Sequence, residues 1–292
     1  MRCLVTGGSG FLGSHVADKL TAKGYEVTIY DKKKSPWIKK KQKFVKGNLL
    51  DFKKLEKVVR KNKIIFHFAA LSDLNEALLK PLETVKFNIL GTIYLLELSK
   101  KYKIERFIYA SSIYVNSNQG GFYRSSKKAA EDYVEEYHHR YGINYTILRY
   151  GSLYGERSNF NNGLKKIVKN SLVNRKIIYF GNNKTERKYI YVKDAAKITA
   201  DIIQNRYKNK HIILSGNKSI KIKNVLNSLS KILGIKENII FKNKRVLGHY
   251  IKTPFTYKPK YGRKISLKKS LNFEKGLVGL VDEVKKELKF KW

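Results

Sequence analysis

From the first residue to about Leu148, short apolar runs rich in β-branched residues alternate with stretches whose apolar positions recur at helical spacing. That alternation indicates parallel βαβ units, since two parallel strands need a long crossover between them and a helix supplies it. Strands are predicted at Cys3 to Thr6, Glu26 to Tyr30, Lys43 to Val45, Ile64 to Phe68, Arg106 to Ala110 and Asn144 to Leu148. The helices between them include Phe11 to Lys23, closed by Gly24, and two long ones, Pro81 to Lys100 and Arg124 to Tyr141. After Tyr150 the rhythm loosens, with turn chemistry at Gly155, Gly163, Gly181-Asn182-Asn183 and Gly216-Asn217. The expected architecture is α/β, a doubly wound parallel sheet over residues 1–150 followed by a smaller C-terminal lobe over 151–292. A final helix is predicted from Val278 to Lys289, while Lys242 to Lys269 reads as a basic, irregular stretch.

Composition narrows the class. A chain of 292 residues can bury a large core in one domain or two closely packed ones. No window approaches the roughly 18 apolar residues of a membrane span, so a soluble protein without membrane association is expected. Met1 leads almost directly into Cys3-Leu4-Val5, which reads as a strand rather than a signal peptide. A single cysteine cannot form an internal disulfide, which suits the cytoplasm.

Lysine and arginine number 62 against 23 acids, a net charge of +39. Such a field gathers anions and invites nucleic acid. The lysines are spread along the whole chain instead of forming an arm or stripe, so a compositional bias is the better account and nucleic acid is not the expected partner. A nucleotide diphosphate would still benefit from the field. No zinc-ligand spacing, RNA-binding aromatic motif or internal repeat is visible, and no metal is expected.

The segment Thr6-Gly7-Gly8-Ser9-Gly10-Phe11-Leu12-Gly13 follows a strand and opens a helix. Gly7 permits a tight turn, Gly10 lets the backbone approach a pyrophosphate, and Gly13 lets the helix pack closely. The helix amino terminus offers free N–H groups to phosphate. Asp31 closes the second strand at the distance expected of a carboxylate that binds the adenosine ribose and repels a 2′-phosphate. NAD is therefore the expected cofactor, with Lys32 to Lys34 as the feature that would accommodate NADP instead.

Tyr123-Arg124-Ser125-Ser126-Lys127 sets a tyrosine and a lysine four apart on one face of a helix start. A tyrosine with its ordinary pKa of about 10 needs a cation and a hydrogen-bond partner to act as a base near neutrality. Lys127 can supply the first and Ser112, just past a strand end, the second.

Taken together, TGGSGFLG from Thr6, YD at Asp31, GNLLD from Gly47, HFAAL from His67, KPLETVKFNILGT from Lys80, FIYASS from Phe107, YRSSK from Tyr123, LRYGSLYGER from Leu148 and RKYIYVKDAA from Arg187 resemble the extended short-chain dehydrogenases. Within that group the chain resembles the NAD-dependent nucleotide-sugar epimerases and dehydratases, which have a Rossmann fold and a C-terminal substrate lobe. The resemblance implies Phe11 and Leu12 beside the pyrophosphate, Asn48 and Leu49 by the adenine, and Phe68, Ala69, Ala70 and Leu71 lining the cofactor cleft. It implies Tyr123 as acid/base, Lys127 as the group that binds the nicotinamide ribose and depresses the tyrosine pKa, and Ser112 as holder of the sugar hydroxyl. It places Tyr150 against the nicotinamide, Arg187 on the substrate diphosphate, and Ser152 where the family usually has a diphosphate-binding asparagine. His67 reads as a strand-end residue without a metal partner.

Family dehydratases and decarboxylases carry acids just after the catalytic Ser/Thr, whereas Ile113 and Tyr114 follow Ser112 here. The resemblance therefore implies a 4-epimerase of a nucleotide-diphosphate sugar, with a 4-reductase, dehydrogenase or dehydratase as the enzymatic alternative. A non-catalytic NAD- or nucleic-acid-binding member of the fold, or a structural subunit of a glycan-synthesis complex, is the alternative of another class. The segment from Ser112 to Tyr123 is shorter than in familiar UDP-sugar epimerases. A homodimer pairing the long helices from Pro81 and Arg124 is also implied.

Overall fold

The structure, a computed structural model, describes residues 1–235, 239–242, 251–253, 263–265 and 269–289. Eight strands build the central sheet: β1 (Arg2–Thr6), β2 (Glu26–Asp31), β3 (Gln42–Lys46), β4 (Ile64–His67), β5 (Arg106–Ser112), β6 (Tyr145–Tyr150), β7 (Lys210–Leu214) and the two-residue β8 (Arg263–Lys264). They run parallel in the order β3-β2-β1-β4-β5-β6-β7-β8. β4 and β6 are buried along their whole length, as continuous apolar runs in a sheet covered on both faces require.

Helices α1 (Phe11–Ala22), α2 (Phe52–Val59), α3 (Gly91–Lys101), α4 (Gly121–Tyr141) and α5 (Val192–Asp201) provide that cover. Alternate strand residues feed two cores. Val5, Ile29, Phe66, Ile108 and Leu148 pack with Val16, Leu20, Ala195 and Ile198 of α1 and α5. Leu4, Ile65, Phe107, Tyr109 and Ile147 pack with Leu55, Leu95, Leu96, Ala130 and Val134 of α2, α3 and α4. The connection reverses direction between β1 and β4, and the crevice outside those strand ends is where ligands bind in open α/β sheets.

The division expected at residue 150 does not follow the sheet. α5, β7 and β8 all come from beyond it, because β6 would otherwise expose an unpaired edge; Lys210 to Leu214 pairs with Thr146 to Tyr150 and covers that edge. The remaining lobe gathers helices Gly163–Asn174, Ile222–Leu233 and Phe273–Lys289 around Tyr154, Val168, Ile177, Leu226 and Leu280. Its last helix starts at Phe273, ahead of the predicted Val278. Most of Lys242 to Lys269 lies outside the described residues.

The predicted helix from Pro81 is not uniform. Pro81–Val85 is α-helical, Lys86–Leu90 forms a π-helical turn, and α3 follows directly. Such turns are single widenings of a helix, often found at functional sites.

Candidate active site

The site grows from the C-terminal ends of β1, β2, β4 and β5. Gly7 leaves β1 with φ +70, and a Cβ on it would lie 2.6 Å from the Ala69 nitrogen. Only glycine permits both that backbone and that approach. A Cβ on Gly13 would meet the Gly7 carbonyl oxygen at 2.3 Å, so α1 is packed directly onto the loop. Gly10 stands at the N-cap of α1, which has no side-chain cap and no acid in its first turn. The first-turn N–H groups around Phe11 and Leu12 thus face outward as an anion site.

Asp31 reaches the same loop. Its Oδ2 accepts from the Ser9 N–H at 3.0 Å and its Oδ1 from the Lys33 N–H at 3.3 Å. Asn48 is exposed past β3, its Oδ1 accepting from Leu50 N–H at 3.0 Å. The Leu49 side chain is buried and packs against Gly91, at which an added Cβ would clash with it.

Phe68, Ala69, Ala70 and Leu71 are half-buried along the exit from β4. Asn88, in the π-helical turn, fixes this segment: it accepts from Leu71 N–H at 2.7 Å and donates to Leu71 O at 3.0 Å and to Ser126 Oγ at 2.9 Å. One buried amide therefore ties the cofactor-side loop to α4. Sequence reasoning missed Asn88, and its only signal was an asparagine in the middle of an apolar helical face.

His67 is fully buried and neutral in role, with Nδ1 2.8 Å from Thr6 Oγ1 and Nε2 3.0 Å from Thr92 Oγ1. Burial and then the nearby Lys127 hold its pKa well below the usual histidine range. It is the strand-end residue expected, and among the described residues no His/Cys/Asp/Glu group could hold a metal.

Ser112 ends β5, and Tyr123 and Lys127 occupy successive turns of α4, which begins at Gly121. The Ser112 hydroxyl accepts from the Tyr114 N–H at 3.3 Å. The ring of Tyr114 meets that of Tyr123 edge-on, with centroids 6.4 Å apart. The Lys127 Nζ donates to Ala110 O at 2.8 Å and lies 4.8 Å from the centroid of the Tyr109 ring.

Burial pushes Tyr123 up to about 12, opposed by the nearby Ser112 hydroxyl, and burial brings Lys127 down to about 7, opposed by Glu131.

Tyr150 is in register with Ser112, and its hydroxyl lies 2.7 Å from Thr199 Oγ1 of α5. Ser152 begins strand Ser152–Tyr154, which pairs with Tyr189–Tyr191, placing it two residues across from Arg187. Arg187 Nη1 donates to the carbonyls of Glu186 at 3.1 Å and Ile251 at 2.9 Å.

A family model described as NAD dependent epimerase/dehydratase matches residues 3–215, well over half of the chain. The chain belongs to the NAD-dependent epimerase/dehydratase family. A Methanocaldococcus jannaschii protein, provisionally named a UDP-glucose 4-epimerase, is 31% identical over 263 residues, spanning 83% of this chain and 86% of its own. A dTDP-D-glucose 4,6-dehydratase of Dictyostelium discoideum is 31% identical over 230 residues, spanning 66% of this chain and 53% of its own. The crystal structure of Thermotoga maritima UDP-glucose 4-epimerase with UDP-glucose superposes with a TM-score of 0.87 at 26% identity, covering 99% of this chain and 100% of that one.

NAD is the cofactor of this epimerase/dehydratase family, and the residues present fit it. The Gly7 cradle would be filled by a Cβ, the first turn of α1 offers N–H donors, and Asp31 stands at the loop to receive ribose hydroxyls. When bound, NAD supplies a hydride acceptor and donor.

Proposed function

We propose that the protein is a nucleotide-sugar 4-epimerase. The observation that carries this reading is Tyr123 and Lys127 on successive turns of α4, with Lys127 bonded to Ala110 of β5, the strand that ends at Ser112 and runs into a turn with no acid in it. Tyr123 takes the proton of the sugar 4-hydroxyl during oxidation and returns one during reduction. Ser112 holds that hydroxyl, and Lys127 holds the nicotinamide ribose. Since burial keeps Tyr123 high, the phenol becomes a base when positive charge is brought against it in the assembled site.

Elimination or decarboxylation would need an acid after Ser112. Ile113 is instead buried against Ile213, and Tyr114 packs on the catalytic ring. A dehydratase reading, suggested by the Dictyostelium relative, has no proton donor there. Arg187 and Ser152 would bind the substrate diphosphate, the arginine through the charge-assisted pairing that guanidinium makes with phosphate. A 4-reductase or dehydrogenase uses the same three residues and differs only in releasing the keto sugar.

A second copy of the chain is the partner this reading includes. Leu79 and Leu82 are 82% and 74% exposed and Val85 is exposed on the helices beside α4, and Phe122 and Tyr133 are exposed on α4 itself. Burying them across a twofold axis explains such a patch, and sedimentation showing a monomer removes this part. A cytoplasmic setting goes with the single buried Cys3. Among the described residues no helix is long and apolar enough to cross a membrane.

The test is incubation with NAD and UDP-glucose, UDP-galactose and UDP-glucuronate, with product stereochemistry read by NMR. The 4-epimer should form with no net NADH. Accumulating NADH with a released keto sugar selects the dehydrogenase, and a dehydrated 4-keto product selects the dehydratase.

A further inference from the structure

Lys127 and Glu131 lie one helical turn apart on the buried side of α4. Glu131 is 0% exposed, and Arg149 on β6 grips both of its oxygens, Nε to Oε1 at 3.0 Å and Nη2 to Oε2 at 2.6 Å. Arg149 is itself buried and in register with Ser111, one residue from Ser112. On the far side, His211 of β7 places Nδ1 4.0 Å from Glu131 Oε2 and its Nε2 2.6 Å from Glu135 Oε1.

A buried ion pair is costly to desolvate, and apolar side chains of similar volume commonly stabilise a fold as well. This one lies one turn beyond Lys127 on α4, with Arg149 across from Ser111, which points to electrostatics rather than stability. We propose that Glu131, clamped by Arg149, is a positioning residue for the reaction: it is the fixed negative charge that keeps an ammonium on Lys127 beside Tyr123. The proposal rests on the reading of Tyr123 and Lys127 given above.

The groups facing Lys127 are Tyr123 and Glu131 on its own helix, the Tyr109 ring and Ala110 carbonyl of β5, His67 of β4, and, beyond Glu131, Arg149 of β6. Burial pulls the lysine down, and Glu131 is the charge that works against burial. Tyr109 feels the same carboxylate, which helps keep its buried phenol protonated. His211 is neutral near pH 7, since burial lowers it to about 4, so it adds no second cation to the pair.

Glu131→Gln keeps the shape and removes the charge. Titration of Lys127, followed by NMR of protein labelled with ¹³C-lysine and identified by the signal lost in Lys127→Met, reads the effect without any substrate. The midpoint should fall by about one pH unit or more, the size expected for removing a close opposite charge. Because Glu131→Gln strands Arg149 without its counter-charge, a second variant combines it with Arg149→Gln. There the melting temperature should recover while the Lys127 midpoint stays below that of the wild type. A midpoint restored to the wild-type value in the double variant overturns the proposal, since the shift then belongs to the stranded arginine. In turnover, the alkaline limb of kcat/KM should move to lower pH with the lysine, because the reaction needs its protonated form. If the wild type turns over no nucleotide sugar while the NMR midpoint still falls, the epimerase reading fails and the electrostatic link between Glu131 and Lys127 stands.

Discussion

The Asn88 side chain holds both backbone polar groups of Leu71, accepting its N–H at 2.7 Å and donating to its carbonyl at 3.0 Å. It also donates to Ser126 on α4, so the segment bordering the cofactor crevice and the helix carrying Tyr123 share one buried anchor. Asn88→Ala takes this partner from both half-buried backbone groups of Leu71. At about 1 to 3 kcal/mol for each such group, the variant should lose about 2 to 4 kcal/mol of stability. It should also bind NAD more weakly, because Leu71 is no longer held. Denaturant unfolding and NAD calorimetry check the two effects, and a variant unchanged in both leaves Asn88 without the anchoring role.

Tyr123→Phe removes the phenol hydroxyl and leaves the ring packed against Tyr114. Turnover should fall by about 10² to 10⁴, the usual range for a general acid/base, with NAD affinity and melting temperature little changed. Full activity in this variant would show that the phenol does not carry the proton.

Asp31→Asn keeps an acceptor near the Ser9 N–H while removing the negative charge that a 2′-phosphate would meet. Lys32, Lys33 and Lys34 follow directly, so a charge balance already basic should tip toward NADP. The ratio of NAD to NADP affinity should drop by about tenfold or more, in line with the loss of one close charge. An unchanged ratio would move cofactor selection to another residue.

The sheet and the glycine loop were legible in the sequence because each rests on local signals: β-branched runs, a glycine spacing and a strand-to-helix transition. That Tyr123 and Lys127 share one face of α4 was legible for the same reason, since helix periodicity puts them there. What the sequence hid depends on contacts distant along the chain. Lys210 to Leu214 joins β6 across 64 residues, as Lys210 opposite Thr146 shows, so the lobe boundary could not be placed from rhythm. The direction of a side chain was hidden too. The Tyr150 hydroxyl meets Thr199, Leu49 packs on Gly91 and the Lys127 ammonium bonds Ala110, and each of those partners comes from another element.

Three histidines make the fold sensitive to mild acid. His15 bonds the Glu156 carbonyl at 3.0 Å and His211 bonds Glu135, and burial lowers each to about 4 from an ordinary 6.5. His67, between Thr6 and Thr92, is also held well below the ordinary range, because burial and then Lys127 act against its charged form. The unfolded chain takes up protons at these rings near pH 6.5 while the native protein does not, so the unfolded state gains as pH falls. Their contribution is therefore complete above about 6.5 and is lost progressively between 6.5 and 4. Glu135 works in the opposite direction, since burial raises its pKa and the native state protonates it early, offsetting part of the loss. Urea midpoints measured at pH 7.5, 6 and 5 should fall steadily, with up to about three protons taken up on unfolding. His15→Gln should flatten the slope by about one proton, and a midpoint independent of pH across this window would mean that the rings are not held neutral in the folded protein.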